Sequence, residues 1–275
     1  MRRARPLLGT FVEISAVGLA ELALVRAVDA AFAAVARVHR LMSFRDPDSD
    51  LSRLNRQAAS RPVVVDPWTA SVLRRARSLF DATDGLFDCA VGHEAMQRGS
   101  LPSQGLGHVR GGTFAAVELM SDDRVRFSAN IALDFGGIAK GFAVDRAIGV
   151  LRAHGVREAL VNAGGDMRVI GETAQPVYIR CPGEDRQIVQ AGLLRNAAIA
   201  TSAAVLTVCK GAAEGTLRSI QPPDSAYSVI APTCLLADAL TKVLVQIGRA
   251  DVGYFARFGV QAFITSAAAN TEKVA

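Results

Sequence analysis

The segment Leu133-Asp-Phe-Gly-Gly-Ile-Ala-Lys-Gly-Phe-Ala-Val-Asp145 decides the fold prediction for this 275-residue chain. Its apolar residues predict a strand that ends near Phe135, followed by a glycine turn and a helix over about residues 138–154. The free N–H groups at a helix start, together with its dipole, favour a phosphate there. Lys140 adds a positive charge in the first turn of that helix.

The spacing of this segment matches neither of the common glycine-rich phosphate motifs. Residue 142 is Phe where a Walker motif would have lysine, and the glycines do not follow GxGxxG. From the residues alone, a phosphate site and a purely structural turn therefore both remain open.

A similar segment follows about 25 residues later, at Val161-Asn-Ala-Gly-Gly-Asp166. It again combines a strand, paired glycines and a carboxylate. We expect the two segments to build one cleft from adjacent strand ends. Asp134 and Asp166 would there accept hydrogen bonds from ligand hydroxyls or hold a cation.

The elements on either side of these segments mix helices and strands without a regular βαβ rhythm, which predicts an α+β fold. Helical spacing of apolar residues predicts long helices over 21–42 and 234–247, and Asp66 with Pro67 predicts a helix start. Strands are predicted over 10–16, 62–65 and 260–265, a hairpin around Asp122 and Asp123, and an irregular glycine-rich loop over 98–113.

Composition excludes several classes of protein. The chain has 31 basic and 26 acidic side chains, so its net charge is +5 (31 − 26), which suits an anionic ligand such as a nucleotide. The basic residues form no dense run, so nucleic-acid binding is not predicted. The four cysteines form no CxxC pair, and no apolar run approaches the ~20 residues of a membrane span. The sequence as written also lacks a signal peptide, which predicts a cytoplasmic protein.

Five ordered motifs carry a resemblance to a known family. They are Leu41-Met-Ser-Phe-Arg-Asp-Pro-Asp-Ser-Asp-Leu-Ser-Arg-Leu-Asn55, Thr83-Asp-Gly-Leu-Phe-Asp-Cys-Ala-Val-Gly92, the segments 133–145 and 160–166, and Val229-Ile-Ala-Pro-Thr-Cys-Leu-Leu-Ala-Asp-Ala-Leu240. Over about residues 9–263 the chain resembles the FAD:protein FMN transferases, the ApbE family. The resemblance implies a single ApbE-like FAD-binding domain over 1–275, with two lobes, mixed sheets and a FAD cleft between them.

The resemblance also implies FAD and Mg²⁺ as cofactors and assigns roles to matching residues. The predicted FAD-binding residues are Asp88, Asp134, Gly136, Gly137, Lys140, Gly164, Gly165 and Asp166. Asp238 and Thr241, with backbone near Gly137, are the predicted magnesium ligands, and Lys140 and Asp238 are the candidates for a catalytic role. Mg²⁺ would neutralise charge that builds on the phosphates during transfer.

Three positions depart from the family pattern. Leu8 precedes Gly-Thr where the family has methionine. Residues 216–227 lack the histidine of the family's His-Ile-x-Asp-Pro-x-Thr-Gly segment and keep only its Pro-containing turn. Lys242 occupies the position of a threonine near the metal. An Asp four residues before a Lys on a helix is a favourable ion pair, so Lys242 and Asp238 form either an ordinary helix pair or a site where the ammonium replaces magnesium.

The implied activity is transfer of FMN from FAD to a Ser or Thr of a target flavoprotein, with release of AMP. Two alternatives remain open from the sequence. One is a FAD-binding paralogue without catalysis, which Lys242 and the missing histidine segment favour. The other is hydrolysis of FAD to FMN and AMP, which requires the same metal.

Overall fold

The computed structural model describes residues 1–180, 188–203 and 225–266, which form two compact units. Within those ranges, residues 1–36 and all residues from Lys140 onward form unit 1, and residues 37–139 form unit 2. Most of the segment 216–227, where the family histidine is missing, lies outside the described residues. No helix in the described ranges is long and apolar enough to span a bilayer.

The described residues contain both helices and strands, as the sequence predicts. The strands are β1 (Arg2–Leu7), β2 (Thr10–Val17), β3 (Val63–Val64), β4 (Val117–Leu119), β5 (Arg124–Phe127), β6 (Glu158–Ala163), β7 (Asp166–Ile170), β8 (Gln175–Arg180), β9 (Ile188–Leu194), β10 (Ala198–Ala203), β11 (Ser225–Ala231) and β12 (Gln261–Ser266). The helices are α1 (Glu21–Met42), α2 (Asp50–Gln57), α3 (Pro67–Ala82), α4 (Gly92–Gln97), α5 (Ala139–Ala153), α6 (Cys234–Ile247) and α7 (Val252–Ala256), with a 3-10 turn at Phe114–Ala116.

Unit 1 is built on a seven-stranded sheet in the order β1-β2-β6-β7-β10-β11-β12. Every neighbouring pair in this sheet is antiparallel. The separate hairpin of β8 and β9 packs on the sheet through a shared apolar core, which includes Val169, Val177, Leu194 and Ile199. Helix α6 packs against β7, β10 and β11, so it lies over the middle of the sheet.

Capping residues explain why α6 begins and ends where it does. The Thr233 hydroxyl accepts a hydrogen bond from the Leu236 N–H, which is an ordinary N-cap. Gly248 follows the last turn with a φ of 73°, a left-handed conformation that glycine adopts without a Cβ penalty. Because both caps adjoin an apolar 3.6-residue pattern, the predicted bounds 234–247 are confirmed.

Unit 2 contains a three-stranded sheet in the order β3-β5-β4. The predicted hairpin is formed by β4 and β5, and both turn residues Asp122 and Asp123 have positive φ angles. Helix α3 begins as predicted, with the Asp66 carboxylate accepting from the Trp68 N–H. Burial alone would raise the pKa of Asp66, but its hydrogen bond and ion pair with Arg37 hold that pKa below its ordinary value.

The strand predicted to end near Phe135 is wrong. Residues 129–135 form no strand, although Leu133 is fully buried. The side chain of Asn55 makes two hydrogen bonds with the backbone of Leu133. Its Nδ2 donates to the Leu133 carbonyl at 2.9 Å, and its Oδ1 accepts from the Leu133 N–H at 2.8 Å. A buried backbone segment needs hydrogen-bond partners, and here a side-chain amide supplies them in place of a neighbouring strand.

The close approach of α5 and α6 depends on Gly141. A Cβ at residue 141 would lie 2.3 Å from the carbonyl oxygen of Cys234 and 2.7 Å from the Leu235 Cα. Both neighbours are backbone atoms, so they cannot move aside as a flexible side chain could. Any residue larger than glycine therefore forces the two helices apart.

We expect Gly141→Ala to destabilise the protein by about 3 kcal/mol, near the upper end of overpacking costs. Gly149→Ala is the matched control, because Gly149 lies in the same helix and, among the described residues, an added Cβ would meet no atom within 4 Å outside the backbone of that helix. That change should stabilise the protein by roughly 0.5–1 kcal/mol, since alanine is the better helix former. Urea unfolding of both variants is the measurement, and equal stability of the two would contradict the backbone contact.

Candidate functional site

Helix α6 places Asp238 and Lys242 one turn apart on the same face. The Asp238 side chain is fully buried, and its Oδ1 accepts a hydrogen bond from Lys242 Nζ at 3.1 Å. Its Oδ2 accepts from the backbone N–H of Gly141 at 3.1 Å. The pair is therefore a buried interaction that also joins α6 to α5.

A second lysine approaches the same carboxylate from α5. Lys140 Nζ lies 3.9 Å from Asp238 Oδ1 and forms a direct ion pair with Asp166. Asp166 is 2% exposed, and it is the first residue of β7. The structure thus brings together one predicted site residue from each of three separate segments.

The turn that presents Asp166 requires its two glycines. Gly164 and Gly165 connect β6 to β7 with φ angles of 68° and 107°, a two-residue hairpin in which both central residues have positive φ. A Cβ at Gly164 would also lie 2.6 Å from the Thr10 hydroxyl. The Asn162 Oδ1 accepts from the Gly165 N–H at 2.8 Å and fixes the turn. In this structure the predicted glycine pair orients a carboxylate.

Hydroxyl groups complete the surroundings of Lys242. Its Nζ donates to Ser202 Oγ at 2.7 Å and to Thr241 Oγ1 at 3.0 Å. Thr241 Oγ1 in turn donates to the Asp238 backbone carbonyl at 2.7 Å and lies 2.8 Å from Ser202 Oγ. Ser202 projects from β10, so the sheet as well as α6 shapes this site.

The Lys–Asp cluster, defined as Lys140, Asp166, Asp238 and Lys242, pairs two ammonium groups with two carboxylates, so its formal charges cancel. Burial alone would raise the pKa of Asp238, but the two ammonium groups and the Gly141 N–H hold that pKa below its ordinary value. Burial and the neighbouring Asp238 charge raise the pKa of Asp166. For Lys140, burial opposes the charged form, yet the two carboxylates raise its pKa above the ordinary lysine value.

The predicted magnesium ligands do not fit a divalent ion in this arrangement. Both Asp238 Oδ1 and Thr241 Oγ1 lie within hydrogen-bonding distance of the Lys242 ammonium. Magnesium prefers oxygen ligands in an octahedral arrangement, and an ammonium group beside those oxygens opposes it. Among the described residues, no group of three or more His, Cys, Asp and Glu side chains could hold a metal.

The start of α5 offers fewer free N–H groups than the sequence suggests. The N–H groups of Ile138 and Ala139 both donate to the Phe135 carbonyl, and that of Gly141 donates to Asp238. The Lys140 side chain, in the first turn of the helix, is 32% exposed.

The remaining predicted FAD-binding residues belong to unit 2. The Asp134 Oδ1 accepts from the Gly136 N–H at 3.1 Å, and the Asp134 N–H donates to the Cys89 carbonyl at 2.7 Å. Asp88 accepts from the Ala90 N–H at 2.7 Å and from the Phe114 N–H at 3.2 Å. Within this unit the predicted residues 88 and 134 are thus tied to neighbouring stretches of backbone, and Gly137 is partly exposed.

Sequence reasoning missed Asp145 and Arg168. The Asp145 carboxylate accepts from the N–H groups of Cys234 at 3.0 Å and Leu235 at 2.9 Å, and from Arg168 at 2.6 Å. It therefore supplies two acceptors to the start of α6, far away in sequence. The sequence signal for Asp145 is its position at the end of the segment 133–145.

Fold and site together define an α+β protein whose buried Lys–Asp cluster joins three segments of one sheet-and-helix unit. The family model described as the ApbE family matches residues 8–264 of the sequence. The chain belongs to the ApbE family, as the motif resemblance predicts.

Curated relatives agree with this assignment. The sequence is 29% identical over 189 residues to a FAD:protein FMN transferase of Treponema pallidum, covering 62% of this chain and 51% of that protein. It is 31% identical over 176 residues to a FAD:protein FMN transferase of Rhodobacter capsulatus, covering 60% of this chain and 34% of that protein. The chain thus spans about half or less of the length of these relatives.

Solved structures confirm the fold. The flavin transferase ApbE from Vibrio cholerae has a TM-score of 0.76 at 21% identity, covering 98% of this chain and 94% of that chain. The ApbE protein from Thermotoga maritima has a TM-score of 0.79 at 24% identity, covering 99% of this chain and 96% of that chain. The predicted α+β, ApbE-like fold is therefore confirmed.

We expect Asp145→Ala to destabilise the protein by about 3 kcal/mol, because it removes two acceptors at a helix start and leaves Arg168 partly buried without this partner. Asp251→Ala is the matched control, since Asp251 caps α7 through one hydrogen bond, to the Tyr254 N–H. That loss should cost about 1 kcal/mol. Denaturant midpoints for both variants decide the comparison, and an Asp145 variant as stable as the control would remove its proposed structural role.

Proposed function

We propose that the chain transfers FMN from FAD to a serine or threonine hydroxyl of a target flavoprotein and releases AMP. The family match over residues 8–264 carries this proposal, because it includes every predicted FAD-binding residue. The ion pair between Lys140 and Asp166 supports it, since each residue comes from one of the two glycine segments predicted to share a ligand.

The proposed reaction exchanges the phosphoanhydride bond between the two halves of FAD for a phosphoester bond to the acceptor. The acceptor hydroxyl oxygen forms a bond to the phosphorus of the FMN half, the bond from that phosphorus to the AMP oxygen breaks, and the hydroxyl proton is released. Negative charge grows on the phosphate oxygens and on the leaving oxygen, so nearby cations stabilise the transition state. Lys140 is suited to this role because its ammonium is charged and partly exposed.

Asp238 is better suited to positioning than to accepting the proton. Its pKa is held below the ordinary value, which makes it a weak base at neutral pH. Its contacts with Gly141 and Lys242 instead hold α5 and α6 in a fixed arrangement. The ammonium groups of Lys140 and Lys242 compete with magnesium for the predicted ligands, so the proposed mechanism does not depend on the magnesium that the resemblance implies.

A FAD-binding protein without catalysis is the second candidate. The contacts of Lys242 with Ser202, Thr241 and Asp238 favour it, because they fill the position at which the resemblance implies a metal. The two candidates share FAD binding and differ in turnover. A measurement of products therefore separates them.

The transfer reaction predicts two products in a fixed ratio. We expect the protein, with FAD and a flavoprotein acceptor typical of the family, to produce covalently bound flavin and AMP in equal amounts. In-gel flavin fluorescence and chromatography of AMP are the two readouts. An acceptor with its Ser or Thr changed to Ala is the control and should gain no flavin. Equal FMN and AMP without covalent flavin would indicate hydrolysis, and FAD binding without either product would favour the non-catalytic candidate.

The predicted role of Asp134 in FAD binding implies that its substitution lowers FAD affinity without unfolding the protein. We expect Asp134→Ala to weaken FAD binding about tenfold or more, because the carboxylate supports the Gly136 turn through its Oδ1 and provides a polar contact for the ligand. Asp134→Asn keeps an acceptor for the Gly136 N–H and should lose less affinity. Calorimetry with FAD measures the effect, and circular dichroism must show both variants folded. Unchanged FAD affinity in a folded Asp134→Ala protein would refute the assignment.

A further inference from the structure

The Lys–Asp cluster contains lysine, which is the rarer basic residue in this chain. Of its 31 lysines and arginines, the lysines are Lys140, Lys210, Lys242 and Lys273, and all the others are arginine. Two of these four lysines meet at the single carboxylate of Asp238. Lysine differs from arginine in carrying a compact charge on a flexible stem, which fits a small site lined by oxygens.

The ammonium of Lys242 has a full set of oxygen acceptors. It has three N–H donors, and it lies 2.7 Å from Ser202 Oγ, 3.0 Å from Thr241 Oγ1 and 3.1 Å from Asp238 Oδ1. Two hydroxyl oxygens and a carboxylate oxygen are also the kinds of ligand that a hard divalent cation takes. The side chain is 19% exposed, so these contacts lie mostly away from solvent.

The formal charges of the Lys–Asp cluster are balanced without a further cation. Lys140 and Lys242 contribute two positive charges, and Asp166 and Asp238 contribute two negative ones, in a cluster whose two carboxylates are almost fully buried. A divalent ion bound to Asp238 Oδ1 would lie within ~4 Å of one or both ammonium groups and would be repelled by them. It could bind only if Lys242 moved away from three hydrogen-bond acceptors.

We propose that Lys242 replaces a divalent cation at Asp238, so that the nucleotide site of this chain needs no metal there. The exclusion of the metal follows from the contacts of the cluster. Naming the nucleotide as FAD rests on the proposed function. The consequence is a site whose ligand affinity does not respond to magnesium.

The wild-type protein tests the metal claim without any variant. Titration with Mn²⁺, followed by electron paramagnetic resonance, measures a divalent site directly and requires no FAD. We expect no saturable Mn²⁺ binding up to about millimolar concentration, and FAD dissociation constants in Mg²⁺ and in EDTA that agree within about twofold. Stoichiometric Mn²⁺ binding that Asp238→Asn abolishes would overturn the proposal.

Lys242→Thr tests whether the lysine itself excludes the ion. This variant removes the ammonium and adds a hydroxyl next to Asp238, so we expect saturable Mn²⁺ binding and FAD binding that Mg²⁺ strengthens about tenfold. Arg249→Thr is the matched control, because it removes one positive charge at an exposed position just beyond the same helix. A folded Lys242→Thr protein that behaves like the control toward both ions would also overturn the proposal.

The cluster inference and the flavin assignment predict different results, so each can fail without the other. If the wild-type protein binds neither FAD nor Mn²⁺ while Lys242→Thr gains Mn²⁺ binding, the cluster inference stands and the flavin assignment fails. If the wild-type protein binds FAD only with Mg²⁺, the flavin assignment stands and the cluster inference fails.

Discussion

The buried carboxylate of Asp238 is the group around which unit 1 is organised. It has no solvent exposure, and its two oxygens are bound by a backbone N–H from α5 and a lysine from its own helix, with a second lysine 3.9 Å away. Placing one carboxylate in a protein interior costs several kcal/mol unless it is paired and hydrogen-bonded. The close contact of α5 with α6, which only glycine at position 141 permits, brings these partners within reach.

The same constraint explains the neighbouring polar residues. Asp166 needs the Lys140 ammonium because it is itself 2% exposed, and the β6–β7 glycine turn presents it in that position. Asp145 and Arg168 form a further ion pair at the start of α6, with 2.6 Å between Arg168 Nη1 and Asp145 Oδ1. Buried polar groups stabilise a structure only when their partners are present, so this region tolerates few changes. A ligand that binds here must exchange contacts with groups that are already paired.

Much of the fold follows from local sequence signals. The bounds of α1 and α6 were predictable because apolar residues recur at helical spacing, and the start of α3 was predictable because Asp66 is a good N-cap before Pro67. The apolar residues before Gly136 predict a strand, because a buried strand and a buried irregular segment have the same apolar composition. The backbone of this segment is instead satisfied by Asn55, a residue 78 positions away from Leu133, and no local pattern reports such a contact.

Part of the candidate site was also predictable from local sequence signals. The helical i,i+4 spacing of Asp238 and Lys242 predicts their pairing, which the structure confirms at 3.1 Å. The meeting of Lys140 with Asp166 joins two segments that the paired glycines identified as related. By contrast, Ser202 reaches Lys242 only because β10 lies under α6, and Asp145 reaches Cys234 across 89 residues. Such contacts depend on how the helices pack on the sheet, and local sequence patterns do not encode that packing.

The most direct test of the Lys–Asp cluster is a crystal structure of the wild-type protein soaked in Mn²⁺, with anomalous diffraction data collected at the manganese edge. We expect Lys242 Nζ within hydrogen-bonding distance of Asp238, Thr241 and Ser202, and no anomalous peak beside the Asp238 carboxylate. A manganese peak coordinated by Asp238, with the Lys242 side chain turned away, would contradict the account.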